Sequence, residues 1–169
     1  MNSYSPPKKN KLHIYLPVIF ICLSFTFLVF ARLDQKIPDA VFNFFTILFA
    51  ALAIQIVTRY SLTKFVYEID TQRDVFKVVK ITGKKITLAG EIDFGDIVSI
   101  IKKEKNVSPY ENNKRFKNHN FCNNIFPENP YYMILSVADE DICVTIEANQ
   151  SFIELIENYR NTIIKGENL

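Results

Sequence analysis

The sequence predicts a membrane α-helical hairpin followed by an α+β domain, in which a bent antiparallel sheet of six or seven strands is capped by a C-terminal helix. Three observations support this: two long apolar segments without charged side chains, an alternation of apolar and polar residues that begins near residue 65, and one amphipathic helical pattern near the C-terminus. The 169 residues, 49% of them hydrophobic, suffice for an anchor and one domain. The composition excludes a disordered chain, a collagen-like repeat and a disulfide-stapled miniprotein.

Two apolar segments predict membrane spans. Residues 12–31 contain no Asp, Glu, Lys or Arg, and neither do residues 40–58. A helix of about 20 residues rises roughly 30 Å, the hydrocarbon thickness of a bilayer. Two alternatives are open, a pair of buried helices in a soluble core and a signal peptide cleaved after Ala31. The rest of the chain is too short to bury both helices, and the first apolar run exceeds the usual core of a signal peptide.

The charges that flank the spans predict their orientation. Three lysines precede the first span within residues 1–11, Arg59 and Lys64 follow the second span, and loop 32–39 balances two basic against two acidic residues. The positive-inside rule therefore places both ends of the hairpin, residues 12–63, on the cytoplasmic side. The expected location is the cell membrane, with two spans, a basic cytoplasmic N-terminus and a cytoplasmic C-terminus.

Five uncharged polar residues lie inside the spans. They are Ser24, Thr26, Asn43, Thr46 and Gln55. An intramembrane amide sometimes marks a transport path, but such residues more commonly join neighbouring helices by hydrogen bonds. We interpret them as helix–helix contacts.

Alternation with a period of two predicts the strands of the second part. It is found over residues 65–70, 75–82, 86–94, 97–103, 131–138 and 142–146. Residues 71–74 and Gly83-Lys84 are turn signals, and Gly90 indicates a bulge. The Asn-rich segment 106–129 interrupts the pattern and predicts a long loop whose second half forms a short edge strand.

The C-terminal helix has both a start signal and an apolar stripe. Ser151 and Glu154 have the spacing of a capping box. The stripe with helical spacing consists of Phe152, Leu155, Ile156, Tyr159 and Ile163. The helix is expected to bury this stripe against the sheet, which places the domain at residues 64–164 and leaves residues 165–169 as a tail.

The order of these elements resembles a known family. Two spans, a strand pair around a Gly-Lys turn and the stretch Ile-Asp-Phe-Gly-Asp-Ile-Val-Ser-Ile at 92–100 resemble bacterial membrane proteins with pleckstrin-homology-like (PH-like) domains, including the YcxB-like group. Residues 131–135 and 151–156 resemble their last hairpin and the helix that plugs the sheet. The resemblance implies a PH-like, partly open barrel. It also implies a membrane-associated accessory role, in some members resistance (immunity) to membrane-active peptides.

Charge distribution suggests one candidate binding patch. Residues 1–63 carry six basic and two acidic side chains, a net charge of +4, whereas residues 64–169 carry fourteen basic and sixteen acidic ones, a net charge of −2. An acidic domain is a poor binder of nucleic acid, which is therefore not an expected partner. The candidate lipid- or partner-binding patch consists of Lys102, Lys103, Lys105, Lys114, Arg115 and Lys117. The alternative is ordinary solvated charge.

No catalytic constellation is recognisable. The three cysteines, at 22, 122 and 143, are odd in number and irregularly spaced, which indicates free thiols, with Cys122 the more exposed of the last two because of its polar setting. His119 and Cys122 make at most half of a metal site. An enzyme, a cofactor and a metal are therefore not predicted.

The function expected from these features is that of a non-enzymatic, membrane-anchored scaffold or accessory protein that presents an interaction domain at the inner membrane surface. The expected partners are the lipid bilayer and a membrane or cytoplasmic protein, with a second copy of the chain among the candidates. The alternative is an accessory subunit of a membrane transport complex, in which the hairpin packs against a larger permease.

Overall fold

The computed structural model of the chain describes residues 2–8, 11–33, 38–104, 117–138 and 140–166. The chain divides into two compact units. One comprises Lys8–Thr63, and the other combines Met1–Pro7 with Lys64–Leu169.

The first unit is a pair of helices, α1 (Leu12–Leu33) and α2 (Asp39–Ile56), with a π-helical turn, Val57–Ser61, that continues α2. Both are long and apolar enough to cross a membrane, and only 6% and 11% of their apolar windows are buried. Outward-facing side chains such as Phe25 and Ile47 are 66% and 69% exposed. That exposure does not fit the alternative of two helices buried in a soluble core.

Aromatic rings and one hydrogen bond join α1 to α2. The Phe27 ring lies 5.2 Å from the Phe45 ring and 5.5 Å from the Phe49 ring. The Ser24 hydroxyl donates to the Thr46 carbonyl at 2.9 Å. The predicted helix–helix contact is confirmed for the Ser24 side chain, whereas the Thr26 and Thr46 hydroxyls bond within their own helices.

A proline explains a second contact between the helices. Pro17 lies inside α1 and has no N–H, so it cannot donate to the carbonyl of His13 one turn earlier. The Ser61 hydroxyl donates to that carbonyl at 2.9 Å. The Lys8 ammonium donates to the Tyr60 and Ser61 carbonyls at 2.6 and 3.0 Å, which satisfies acceptors at the C-terminal end of the π-helical turn.

The second unit contains two four-stranded sheets and one helix. The first sheet has the order β1-β2-β3-β4 and the second the order β5-β7-β8-β6, with β6 parallel to β8. The strands are β1 Asn2–Tyr4, β2 Thr63–Asp70, β3 Val75–Thr82, β4 Lys85–Asp93, β5 Ile97–Lys102, β6 Lys117–Asn120, β7 Pro130–Val137 and β8 Glu140–Glu147, and the helix is α3 Gln150–Gly166.

The predicted α+β class and helical hairpin agree with these elements, and two details differ. The strands form two sheets, one of them with a parallel pair, instead of one bent antiparallel sheet, and the described residues form eight strands instead of six or seven. The additional strand is β1, in the segment interpreted as a basic N-terminus, where it pairs antiparallel with β2 from Asn2–Ile69 to Tyr4–Tyr67. The edge strand expected in the Asn-rich segment is β6, while residues 106–116 of that segment lie outside the described residues.

The predicted hairpin turn and bulge are both confirmed in the β3–β4 pair. Thr82 pairs with Lys85 across the two-residue turn, where Gly83 has a φ of 59°, a value that glycine adopts at little cost. Val78 pairs with Gly90 and Val79 with Leu88, which leaves Ala89 as the extra residue of a bulge.

The core of this unit lies between the sheets and α3. β1 contributes to it, because the Tyr4 ring stacks 4.9 Å from the Phe152 ring and 6.3 Å from the Tyr67 ring. The alternating residues Phe65, Tyr67 and Ile69 are all buried, as the period-two pattern predicts. The buried core also includes Phe76, Val78, Ile92, Phe94, Ile97, Met133, Leu135, Val144, Ile146, Phe152, Ile153 and Ile156.

α3 begins two residues earlier than a cap at Ser151 predicts. The side chain of Asn149 accepts from the Phe152 N–H at 2.9 Å and is the cap, so the predicted box of Ser151 and Glu154 is wrong. Glu154 instead accepts from the Gln150 side chain. The Arg160 guanidinium donates to the carbonyls of Ile97 and Val98, both at 2.6 Å, and so fastens α3 to β5.

Replacing Ile156 by alanine is expected to cost about 2–5 kcal/mol of unfolding free energy, because its side chain is fully buried and a cavity would remain. Glu157→Ala, one residue on and only partly buried, is the control and should change stability little. Urea unfolding of both variants in detergent measures the difference. Equal, small effects would mean that α3 does not complete the core.

Candidate binding site

The domain has an apolar cleft of about 260 Å³ beside the bulge of β4. Strand alternation builds its walls, because Leu135 and Val137 share one face of β7, and Ile142 and Val144 share one face of β8. Leu135 is 3% exposed and Val137 is 37% exposed, so the core opens to solvent along this face. The lining residues are Ala89, Gly90, Glu91, Ile92, Asp96, His119, Phe121, Leu135, Val137, Ile142 and Val144.

Acidic groups dominate the polar part of this lining. Glu91 and Asp96 contribute carboxylates, and Glu91 pairs with the Arg73 guanidinium at 3.1 Å. His119 stacks on Phe121 with ring centroids 6.2 Å apart and nearly parallel planes. An apolar cavity with a few polar groups is the usual form of a binding site, and this one suits an apolar group next to a positive charge.

Asn123 and Asn124 form a second polar feature, a buried cluster of hydrogen bonds. It clamps the segment after β1 to the beginning of β2. The Asn123 side chain accepts from the Phe65 N–H at 2.6 Å and donates to the Phe65 carbonyl at 3.0 Å and the Pro6 carbonyl at 3.2 Å. Asn124 donates to the Pro7 carbonyl at 3.0 Å and to the Glu147 carboxylate at 2.7 Å. These residues hold the N-terminal segment against β2, a role that their loop-like sequence context does not reveal.

Tyr67 completes this polar cluster. Its buried hydroxyl donates to the Phe121 carbonyl and accepts from the Glu147 N–H, both at 3.0 Å, and so connects the two sheets. Burial raises the pKa of Tyr67 well above its ordinary value, although the hydrogen bond from the Glu147 N–H acts in the opposite direction.

Alkaline solution is expected to destabilise the domain through Tyr67. Between the ordinary tyrosine pKa of about 10 and the higher folded pKa, the unfolded chain loses a proton that the folded chain keeps. The free energy of unfolding should therefore fall as the pH rises above about 10. Urea unfolding at several pH values measures this fall. Tyr67→Phe should be less stable at neutral pH but show a weaker alkaline decline, and an unchanged decline would contradict the assignment.

The predicted basic patch is only partly described. Lys102 ends β5 and Lys103 follows it, with its ammonium 5.1 Å from the Tyr132 ring centroid. Lys117 begins β6 at the opposite edge of the same sheet, three strand spacings or roughly 14 Å across the strands from Lys102 and four residues farther along them. The structure does not bring these three together. Lys105, Lys114 and Arg115 lie outside the described residues, so their part of the patch stays a prediction.

All three cysteines are free, as expected. Cys122 was expected to be the more exposed of the last two, but both are buried, Cys122 at 1% and Cys143 at 0% exposure, and burial raises the pKa of the Cys143 thiol. The polar neighbours that suggested exposure, Asn123 and Asn124, are themselves buried, because their side chains bond to the backbone and to Glu147. Within the described ranges, no group of three or more His, Cys, Asp or Glu side chains could hold a metal.

Comparisons with known proteins find no matching family model, curated protein or solved structure. The relation to PH-like membrane proteins and to the YcxB-like group therefore stays a prediction from the quoted residues.

Proposed function

We propose that this chain is a non-enzymatic, membrane-anchored interaction protein whose domain binds a partner through the cleft beside β4. The cleft is the observation that carries the proposal, because it combines an apolar lining with acidic groups and opens to solvent. The occupant that fits is an apolar side chain in a basic segment of a partner protein. This chemistry is shared by the membrane-active peptides that the family resemblance implies.

The pairing of β1 with β2 supports the anchoring part of the proposal. β1 precedes both helices and β2 follows them, yet both strands belong to one sheet. Helices that cross a bilayer between two such strands must cross it an even number of times. Cleavage after Ala31 would also remove Tyr4 from the core, which argues against the signal-peptide alternative. The flanking lysines favour the cytoplasmic side for the domain.

Photo-crosslinking in cells tests the binding site. A photoreactive amino acid replaces Val137 at the cleft in the full-length chain, and captured proteins are identified after purification in mild detergent. Ile164 on α3 is the matched control, because it is apolar and 36% exposed, against 37% for Val137, and does not line the cleft. We expect a specific adduct from Val137 and none from Ile164. Equal capture from both positions would refute the cleft as the binding site.

The alternative, an accessory subunit of a transport complex, predicts a different adduct. Ile47 on α2 is 69% exposed and would face a permease in such a complex. Capture of a polytopic membrane protein from Ile47, without capture from Val137, would favour that alternative.

Orientation requires a new thiol, because Cys122 and Cys143 are buried and would escape labelling on either side of the membrane. Ser136→Cys at an exposed position, in a Cys22→Ser background, provides it. We expect an impermeant maleimide to label this cysteine only after cells are permeabilised. Labelling in intact cells would place the domain outside.

A further inference from the structure

We propose that the tip of the β3–β4 hairpin, residues 79–88, contacts an anionic lipid surface. This inference rests on the proposed membrane anchoring but not on the cleft. Three features carry it: the charge of the hairpin, its exposed apolar side chains, and the end of the sheet at which it lies.

The hairpin is basic within an acidic domain. Residues 75–90 contain four lysines and no Asp or Glu. Lys77 is paired with Asp70 at 2.6 Å, and that lysine holds the pKa of the Asp70 carboxyl below its ordinary value. Lys80, Lys84 and Lys85 are exposed, and the described residues form no salt bridge with them. This concentration of positive charge is distinct from the patch predicted by sequence analysis.

Exposed aliphatic side chains accompany the lysines. Ile86 and Leu88 are 70% and 57% exposed, and they pair across the strands with Ile81 and Val79, which are partly buried. Cross-strand partners share a face of the sheet, so these four side chains form one apolar patch. Apolar side chains flanked by lysines are the composition that binds at the headgroup boundary of anionic bilayers.

Chain connectivity places this tip at the end of the sheet that leads to the helices. β2 and β3 are neighbours joined by four residues, a connection too short for a parallel pair. Thr82 at the end of β3 therefore lies at the same end of the sheet as Thr63, where β2 begins only two positions after the π-helical turn. β1 is antiparallel to β2, so the segment toward α1 leaves the sheet at this end too.

The opposite end of the same sheet is acidic. Asp70, Asp74, Glu91 and Asp93 lie at the β2–β3 turn and toward the end of β4, against the two basic side chains Arg73 and Lys77, which leaves this end with a net charge of −2. The sheet thus has lysines at the end from which both helical connections leave and carboxylates at the other end. An anionic surface would attract the first end and repel the second, which sets the orientation of an already tethered domain.

A single tryptophan provides the test, because the chain contains none. Ile86→Trp is introduced into the full-length protein in lipid nanodiscs, and quenching by brominated lipids is measured. Val98→Trp on β5 is the matched control, since Val98 is apolar and 52% exposed but is not on the hairpin. Thermal unfolding of both variants verifies that the fold is retained.

We expect Ile86→Trp to be quenched in nanodiscs with anionic phosphatidylglycerol, several-fold more than in phosphatidylcholine and several-fold more than Val98→Trp. High salt, or Gln at positions 80, 84 and 85, should remove most of the difference. Equal quenching of the two tryptophans, or equal quenching in both lipids, would overturn the proposal. The proposal would also be overturned if the fluorescence of Ile86→Trp changed on addition of an acidic peptide but not with the lipid composition, because the hairpin would then bind a protein. Failure of the chain to enter nanodiscs would instead refute the anchoring.

Discussion

Deletion of residues 2–7 is expected to unfold the domain, although these residues lie outside the region that sequence analysis assigned to it. The deletion removes β1 from the sheet edge, the Tyr4 ring from its stack on Phe152 and the buried Pro6 from the core. Tyr4 is partly buried, so its truncation alone should cost less than the roughly 3–5 kcal/mol of a fully buried aromatic residue. Together with the loss of β1 and of Pro6, the cost becomes a large part of the roughly 5–15 kcal/mol that stabilises a typical domain.

Limited proteolysis and urea unfolding in detergent measure this effect. Asn2→Ala, at an exposed position of β1, should leave stability nearly unchanged, whereas Tyr4→Ala should have an intermediate effect. A truncated protein with normal protease resistance would contradict the role of β1. The same reasoning predicts that a fragment of residues 64–169 is unstable, and that joining residues 1–7 to it through a short linker restores it.

Asn123→Ala is expected to lower the unfolding free energy by about 3–6 kcal/mol. The amide side chain of Asn123 satisfies the N–H and carbonyl of Phe65 and the carbonyl of Pro6, and both of those residues are buried. Loss of a hydrogen bond to a buried backbone group costs about 1–3 kcal/mol, and this substitution removes three such bonds. Two of the three bonds go to the same residue, Phe65, so their costs are not fully additive.

Asn118→Ala is the matched control for this prediction, because Asn118 lies on β6 with an exposed side chain. Urea unfolding of the two variants should separate them clearly. Nearly equal midpoints would show that water replaces the lost hydrogen bonds and that Asn123 is not a clamp.

Most of the strands were predictable because their apolar residues alternate. Phe65, Tyr67 and Ile69 are separated by polar residues in the sequence and are all buried in the structure. The stripe of α3 was predictable for the same reason, since Phe152 and Ile156 pack against the core. In these elements one apolar face packs against the core, so the local spacing of apolar residues is enough to predict both the type of element and its buried face.

The parts that could not be predicted depend on contacts between distant residues. β1 has only three residues, two of them polar, and it is a strand because β2 offers an unpaired edge. Asn123 resembles an ordinary loop residue until Phe65 and Pro6 are known to lie beside it. The cleft likewise depends on how β4 approaches the second sheet.

The pairing of β1 with β2 has a consequence for biosynthesis. Tyr4 pairs with Tyr67, which is synthesised 63 positions later. At about 5–20 residues per second, the first strand waits roughly 3–13 s for its partner while both helices are being made. During that delay β1 has no partner strand. Under the proposed cytoplasmic orientation, the segment therefore has to stay on the side of the membrane where the ribosome works. Premature export of the N-terminus would therefore separate the two strands permanently and leave a domain that cannot be completed.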